Sequence, residues 1–238
     1  MTAAVRSRRT SGPKVEHTET HHTRARILRV AMELFHEKGY AAAGIAEILQ
    51  RAQANSGSFY YFFRSKEELL SAVLDRYAEI LYPDLLEPIW RQTPDPVERV
   101  FALLAKYREL LITTNFRYGC PIGRIALEAD PSMTDVHRKI AQNFDGWKTA
   151  VARCLVDALD QDRLPRTTNG DQLSCLVLSV MEGGVMQARS YGHIEPFDQS
   201  VEGLRTYFAL MSGEAIPQCE AAARKRKRRA RGGKQRQK

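Results

Sequence analysis

Residues 55–66, Asn-Ser-Gly-Ser-Phe-Tyr-Tyr-Phe-Phe-Arg-Ser-Lys, hold a short aromatic helix between two helix starts, and few folds accept that arrangement. Asn55 is a good N-cap for the first helix, and Ser65 with Glu68 fits a capping box that opens the next. Within the enclosed helix Phe59, Phe62 and Phe63 share one face by their i, i+3, i+4 spacing. This leaves Gly57 and Tyr61 opposite, flanked by Ser56, Ser58 and Tyr60. Upstream, residues 23–37 set Ile27, Ala31 and Leu34 at helical spacing, with Lys38 in the last turn and Gly39 at the C′ position. A further helix over about 44–52 turns Ile45, Ile48 and Leu49 inward, and the chain reaches Asn55 almost at once. Two short helices joined so tightly cross steeply, as in a helix-turn-helix. The third helix can then enter a major groove about 12 Å wide, with its small N-terminal residues at base edges and its tyrosines near phosphates. Lys66 stands at a helix N-terminus, where free amides and the helix dipole already favour a phosphate.

Thr-Arg-x-Arg-Ile-Leu at 23–28, Glu-Leu-Phe-x-Glu-Lys-Gly-Tyr at 33–40, Gly57-Ser58-Phe59-Tyr60 and Phe63-x-Ser-Lys-Glu-x-Leu-Leu through Leu70 together make residues 23–74 resemble the DNA-binding domain of TetR-family transcriptional regulators. The resemblance implies a homodimer whose paired recognition helices bind a near-palindromic operator on double-stranded DNA, and a second domain that binds a small-molecule inducer. It places Ser56, Gly57, Ser58, Tyr60 and Tyr61 at base- and backbone-contacting positions and Lys66 at the phosphate-binding lysine; Arg24, in the first motif, joins them as a candidate DNA contact. Three positions depart from the pattern. Ala43 replaces a capping threonine, at a cost of roughly 1 kcal/mol. Gln53 replaces a turn glycine and should be strained, and Phe62 stands where histidine is common.

The formal charge of +8 divides unevenly. Residues 1–20 hold four Lys/Arg against two acids and residues 224–238 hold ten with no acid, which leaves 22 Lys/Arg against 26 acids between them. A mildly acidic body with a modestly basic segment at 22–70 suits an operator-reading dimer. No run approaches the roughly 18 apolar residues of a membrane span, and the N-terminus lacks the apolar run of a signal peptide, so a cytoplasmic, nucleoid-associated protein without membrane contact is expected. Cys120, Cys154, Cys175 and Cys219 lie far apart with no metal-ligand spacing. They read as reduced thiols, the first three buried, with redox sensing as the alternative. No metal, cofactor or catalytic constellation is expected, and the chain does not read as an enzyme.

Periodic apolar segments place a fourth helix from residue 67 to about 81, a proline-marked loop over about 82–96, and helices over 97–112, 122–128, 134–159, 173–191 and 201–211. The expected fold class is therefore all-α. Residues 1–20 are expected as a disordered basic arm, 21–66 as the helix-turn-helix domain, 67–212 as a ligand-binding and dimerisation domain, and 213–238 as a disordered basic tail. The tail either strengthens salt-dependent DNA attraction or stays idle in solvent.

Tyr118-Gly-Cys-Pro-Ile-Gly-Arg through Glu128, with Met181-Glu182-Gly183-Gly184, resembles the ligand domain of the multidrug- and flavonoid-responsive branch of the same family. Phe101, Tyr107, Phe116, Cys120, Phe144, Trp147, Met181, Glu182 and Met186 are the candidate lining of a pocket for a small apolar or aromatic ligand; core filling is the alternative for each aromatic and methionine. Glu182 has apolar neighbours on its helix and needs a partner, either a ligand or a structural arginine such as Arg124 or Arg189. Leu176, Val177, Val180, Gly184 and Ala188 on one helix and Leu204, Phe208 and Met211 on the next are the candidate dimer interface. The expected function is a ligand-released homodimeric repressor. A nonspecific, nucleoid-architectural DNA binder on the same fold is the alternative.

Overall fold

The computed structural model describes residues 13–213. Among them the chain forms α1 (Pro13–Lys38), α2 (Ile45–Arg51), α3 (Ser56–Phe62), α4 (Lys66–Ile80), a π-helical segment (Leu81–Leu86), α5 (Glu87–Gln92), α6 (Pro96–Thr113), α7 (Pro121–Glu128), α8 (Thr134–Asp160), α9 (Gly170–Tyr191) and α10 (Glu195–Ser212), with no strand. Helix α1 packs on α2, α3 and α4, and α4 continues into the larger bundle by packing on α8. Helix α8 also contacts α6, α7 and α9, while α10 covers α9 and α6.

Most differences from the sequence expectation have one cause. Prolines read as helix breaks stand instead in the first turn of α5, α6, α7 and α10. There the missing N–H costs nothing, because the first-turn amides have no intrahelical acceptor. Helix α10 therefore starts at Glu195 rather than near residue 201. The expected loop over 82–96 shrinks to residues 93–95, because a π-helical turn holding Pro83 carries the chain from α4 into α5. The Asp95 carboxylate then caps α6, accepting from Val97 N–H at 2.8 Å and Glu98 N–H at 3.0 Å. At the other end α1 begins at Pro13, so residues 13–20 of the expected disordered arm are helical. The rest of that arm, and the tail beyond 213 with Cys219, lie outside the described residues.

Two ion pairs lock α10 to α6: Arg108 grips Asp198 with bonds of 2.7 and 3.0 Å, and Arg205 grips Glu98 with bonds of 2.6 and 3.1 Å. The Arg205 guanidinium lies 3.8 Å from the centre of the Phe101 ring, which meets Phe208 edge-on at 5.4 Å. Asn143, a buried polar residue on α8, donates to the carbonyls of Leu74 at 3.0 Å and Lys139 at 2.9 Å and so ties α8 to α4. Among the described residues no helix is long and apolar enough to cross a membrane.

Candidate nucleic-acid interface and ligand cavity

Helices α2 and α3 form the helix-turn-helix. Asn55 caps α3 by accepting from Ser58 N–H at 2.7 Å. Phe59 and Phe63 are fully buried beneath it, whereas Phe62 is only half-buried. Ser56 and Gly57 are exposed, and Tyr60 and Tyr61 project into solvent with 60% and 77% of their surface free. This outward set is the one the spacing implied, apart from Ser58, which is half-buried. Gln53 adopts φ 49°, the left-handed geometry expected where glycine is missing. The compensation comes from α1. Arg26 donates to the carbonyls of Ala52 at 3.1 Å and Gln53 at 3.4 Å, clamping the turn from outside. Sequence reasoning assigned Arg26 no role, because nothing local pairs it with a turn 26 residues away. Gly44 starts α2 without a side-chain cap, and Ala43 beside it is fully buried.

Ser65 accepts from Glu68 N–H at 3.1 Å, and Glu68 answers by accepting from Arg64 N–H at 2.7 Å, one residue earlier than in the reciprocal capping box. Lys66 lies half-buried over the Tyr40 ring, with Nζ 4.4 Å from its centre and donating to the Ala41 carbonyl at 3.3 Å. Burial lowers its pKa. Arg24 is exposed, its guanidinium 5.3 Å from the centre of the Phe63 ring.

A cavity of about 230 Å³ opens among α4, the π-helical segment, α6, α7, α8 and α9. Tyr107, Cys120, Phe144, Trp147, Met181 and Glu182 line it as expected, joined by Tyr77, Ile80, Leu81, Asp84, Leu85, Pro121, Ile122, Asn143 and Leu178. Phe116 and Met186 line a larger open groove of about 670 Å³ with Arg124, Glu128 and Arg189, sharing Cys120, Phe144 and Glu182 with the cavity. Phe116 reaches it from a turn in which Asn115 and Phe116 both take positive φ, 49° and 59°. Phe101 lies in neither space; its place against Arg205 and Phe208 makes it core, which corrects its assignment to the pocket. Tyr77, Asp84 and Asn143 escaped the sequence reading because their helical periodicity is that of ordinary packing and surface positions.

Neither Arg124 nor Arg189 pairs with Glu182. Its Oε1 is buried without a hydrogen-bond partner among the described residues, as are Trp147 Nε1 and Arg189 Nε. Burial raises the Glu182 pKa, opposed by the neighbouring Cys120 thiol. Burial, with Glu182 beside it, likewise pushes the Cys120 thiol well above its ordinary value. Cys154 is buried too, but Cys175 is exposed, contrary to expectation. A side chain at Gly123 would run into the Glu182 carboxylate, so the glycine permits the close approach of α7 to α9.

The opposite face of α7 holds the DNA-binding half. Arg124 Nη1 donates to the carbonyls of His36 at 3.3 Å and Glu37 at 3.1 Å, and its Nε pairs with Glu128 at 3.2 Å. Glu128 in turn accepts from Ala41 N–H and presses on Gly39, whose φ of 91° and missing Cβ are both required there. Arg117 pairs with Glu37. His36 Nε2–H donates to the Gly119 carbonyl at 2.7 Å, and its ring stacks on Tyr118.

Among the candidate dimer residues, Val177, Gly184, Ala188, Leu204 and Phe208 are buried within the protomer, and Val180 and Met211 are half-buried. Gly184, for instance, faces Phe197, whose ring would lie 3.0 Å from an added Cβ. The stripe chosen from periodicity is thus the core-facing one, since a core and a partner select the same residue types. Of the set, Leu176 is exposed, as are Met186 on α9 and Tyr207 and Leu210 on α10.

Residues 27–73 match the family of bacterial regulatory proteins of the tetR type, and residues 96–204 match the tetracyclin repressor-like C-terminal domain. An uncharacterised HTH-type transcriptional regulator of Mycobacterium tuberculosis is 31% identical over 182 residues, spanning 74% of this chain and 88% of the relative. The HTH-type transcriptional repressor DhaR of Mycobacterium sp. strain GP1 is 24% identical over 176 residues, 74% of this chain and 87% of its own. Among solved structures, the regulatory protein TetR from Rhodobacter sphaeroides superposes with a TM-score of 0.69 at 24% identity, covering 76% of this chain and 96% of that one. A CifR cysteine mutant complexed with 26-bp double-strand operator DNA gives 0.66 at 21% identity, covering 76% and 94%. The chain belongs to the TetR family of DNA-binding transcriptional regulators.

Proposed function

We propose that this protein is a homodimeric repressor, released from a near-palindromic operator when a small apolar or aromatic ligand enters the cavity bounded by α4, α6, α7, α8 and α9. The observation that carries the reading is the position of α7. One side of it lines the cavity through Pro121 and Ile122, and the other holds the end of α1 and the approach to α2 through Arg124 and Glu128. A ligand that favours a different seat for α7 changes the spacing of the two recognition helices, and it must discriminate between the two states by a few kcal/mol to matter. Relatives described as repressors, DhaR and the Escherichia coli NemR, support the direction of control, and CifR on its operator supports the mode of DNA engagement.

On the DNA, Ser56, Gly57 and Ser58 would meet base edges, Tyr60 and Tyr61 the groove wall, and Arg24 and Lys66 phosphates, Lys66 by leaving its seat on Tyr40. The dimer would use the outward faces of α9 and α10, with Leu176, Tyr207 and Leu210 exposed and Gly203 open for close helix approach. Resemblance to the multidrug- and flavonoid-responsive branch accords with the aromatic lining. A thermal-shift screen of small aromatic compounds, followed by operator release in a gel-shift assay, tests this function. A compound that both stabilises the protein and releases DNA supports it; binders without any release would leave a constitutive DNA binder.

A further inference from the structure

We propose that the basic run at 224–238 is a second nucleic-acid contact, which holds a separate DNA duplex at the end of the molecule remote from the recognition helix. Bound to its operator through α3, the protein would then join two duplexes; this rests on α3 being the operator-reading face. The run carries ten Lys/Arg and no acid, six of them consecutive from Arg224 to Arg229, whereas residues 21–223 hold 22 Lys/Arg against 26 acids. No aromatic or large apolar residue interrupts it. Such a run attracts phosphates without reading bases and has nothing to bury in a lipid surface.

The fold fixes where this part of the chain departs. Arg108 near the end of α6 pairs with Asp198 near the start of α10, and Glu98 near the start of α6 pairs with Arg205 further along α10, so the two helices run antiparallel. Ser212, the last residue of α10, donates to the Arg163 carbonyl at 3.0 Å, and Arg163 pairs with Asp95, the cap of α6. Gly213 then closes α10 with φ 68°. The opposite end of α6 leads to the DNA-binding half, where Arg117 pairs with Glu37 and the His36 ring stacks on Tyr118. At about 1.5 Å per residue, the 18 residues of α6 separate these ends by about 27 Å. The turn into α3 is reached only through α1, where Arg26 clamps it ten residues back from His36. Residues 214–223 span at most about 36 Å when fully extended. Bringing Arg224 to the operator therefore takes nearly all of that length laid straight along the body, whereas a duplex at the far end lies within reach of the whole run.

The test immobilises an operator duplex, saturates it with full-length protein, washes it, and measures capture of a labelled duplex that lacks the operator. The comparison is a full-length variant carrying Arg224→Gln, Lys225→Gln, Arg226→Gln, Lys227→Gln, Arg228→Gln and Arg229→Gln. The wild type should capture the second duplex and release it as salt rises. The variant should capture roughly tenfold less and lose up to about 5 from the salt slope, at about 0.9 for each phosphate no longer neutralised. Its affinity for the operator duplex alone should stay within about twofold, which reports that it is folded and keeps operator reading separate from this inference. An operator affinity that falls in step with capture would put the run on the operator-bearing duplex, and undiminished capture by the variant would assign the second contact to another surface. Either result overturns the proposal, as does a wild type that captures no second duplex, whether or not it binds phosphatidylglycerol vesicles.

Discussion

The Glu128 carboxylate accepts a hydrogen bond at 3.0 Å from the backbone N–H of Ala41, which lies 87 residues earlier in the chain. The same side chain pairs with Arg124, whose other nitrogen holds the last carbonyls of α1. One carboxylate thus joins the wall of the cavity to the segment that leads into the helix-turn-helix.

Glu128→Ala should therefore uncouple ligand from DNA. The expected loss of stability is roughly 1–2 kcal/mol, the scale of a charge-assisted hydrogen bond. Ligand affinity should remain near that of the wild type while the ligand-induced drop in operator affinity shrinks. Calorimetry and gel shift on the same preparation separate the two effects, and a variant that still releases DNA normally would remove Glu128 from the coupling path.

The strained turn offers a second test. Gln53→Gly should stabilise the protein by up to about 1 kcal/mol, because glycine takes φ 49° without steric cost. Arg26→Ala should destabilise it by roughly 1–2 kcal/mol, since two turn carbonyls lose their donor. Chemical denaturation reads both; a destabilised Gln53→Gly would mean that the glutamine side chain contributes more than its backbone costs.

His36 makes stability depend on pH. Burial lowers its pKa from 6.5, reinforced by Arg124 and Arg189 and opposed by its bond to the Gly119 carbonyl. Below 6.5 the unfolded chain takes up a proton that the folded protein still refuses, so the contribution is complete above that pH and declines as pH falls toward the lower folded value. Thermal unfolding between about pH 7.5 and 5.5 should show this decline, and His36→Gln should flatten it. An equal decline in the variant would assign the effect to other groups.

How much could be read from sequence depends on how local each interaction is. Asn55, Ser65 and the Phe59–Phe63 pair act within one or two turns, so their caps and burial were directly legible. Gln53 was legible for the same reason, but its clamp Arg26 was not, because the bond joins two helices. Prolines misled where a breaker and a first-turn residue look alike, as at Pro88 and Pro196. Glu182 was correctly read as a carboxylate in apolar company, yet only the fold shows that its Oε1 has neither arginine as a partner. Five of the eight dimer candidates prove buried within the protomer, because apolar spacing does not say whether a face meets its own core or a second copy.

Tyr61 and Lys66 should fail in different ways on DNA. Tyr61→Ala should weaken operator binding and alter sequence preference, whereas Lys66→Ala should weaken all sites alike and lower the salt slope by about 0.9 for each phosphate no longer neutralised. Helix content and dimerisation should be unchanged in both. Operator affinity equal to that of the wild type in either variant would contradict the assigned face of α3 and the start of α4.

Ligand-released repression is tested most sharply by quantitative footprinting of the full-length protein on DNA flanking its own gene, over a range of salt, with and without a ligand that binds the cavity. The expected result is one short symmetric protected site that persists when nonspecific competitor is added and fades when the ligand is present. Diffuse, salt-labile coating with no symmetric site, or a site whose protection no cavity ligand changes, would contradict it.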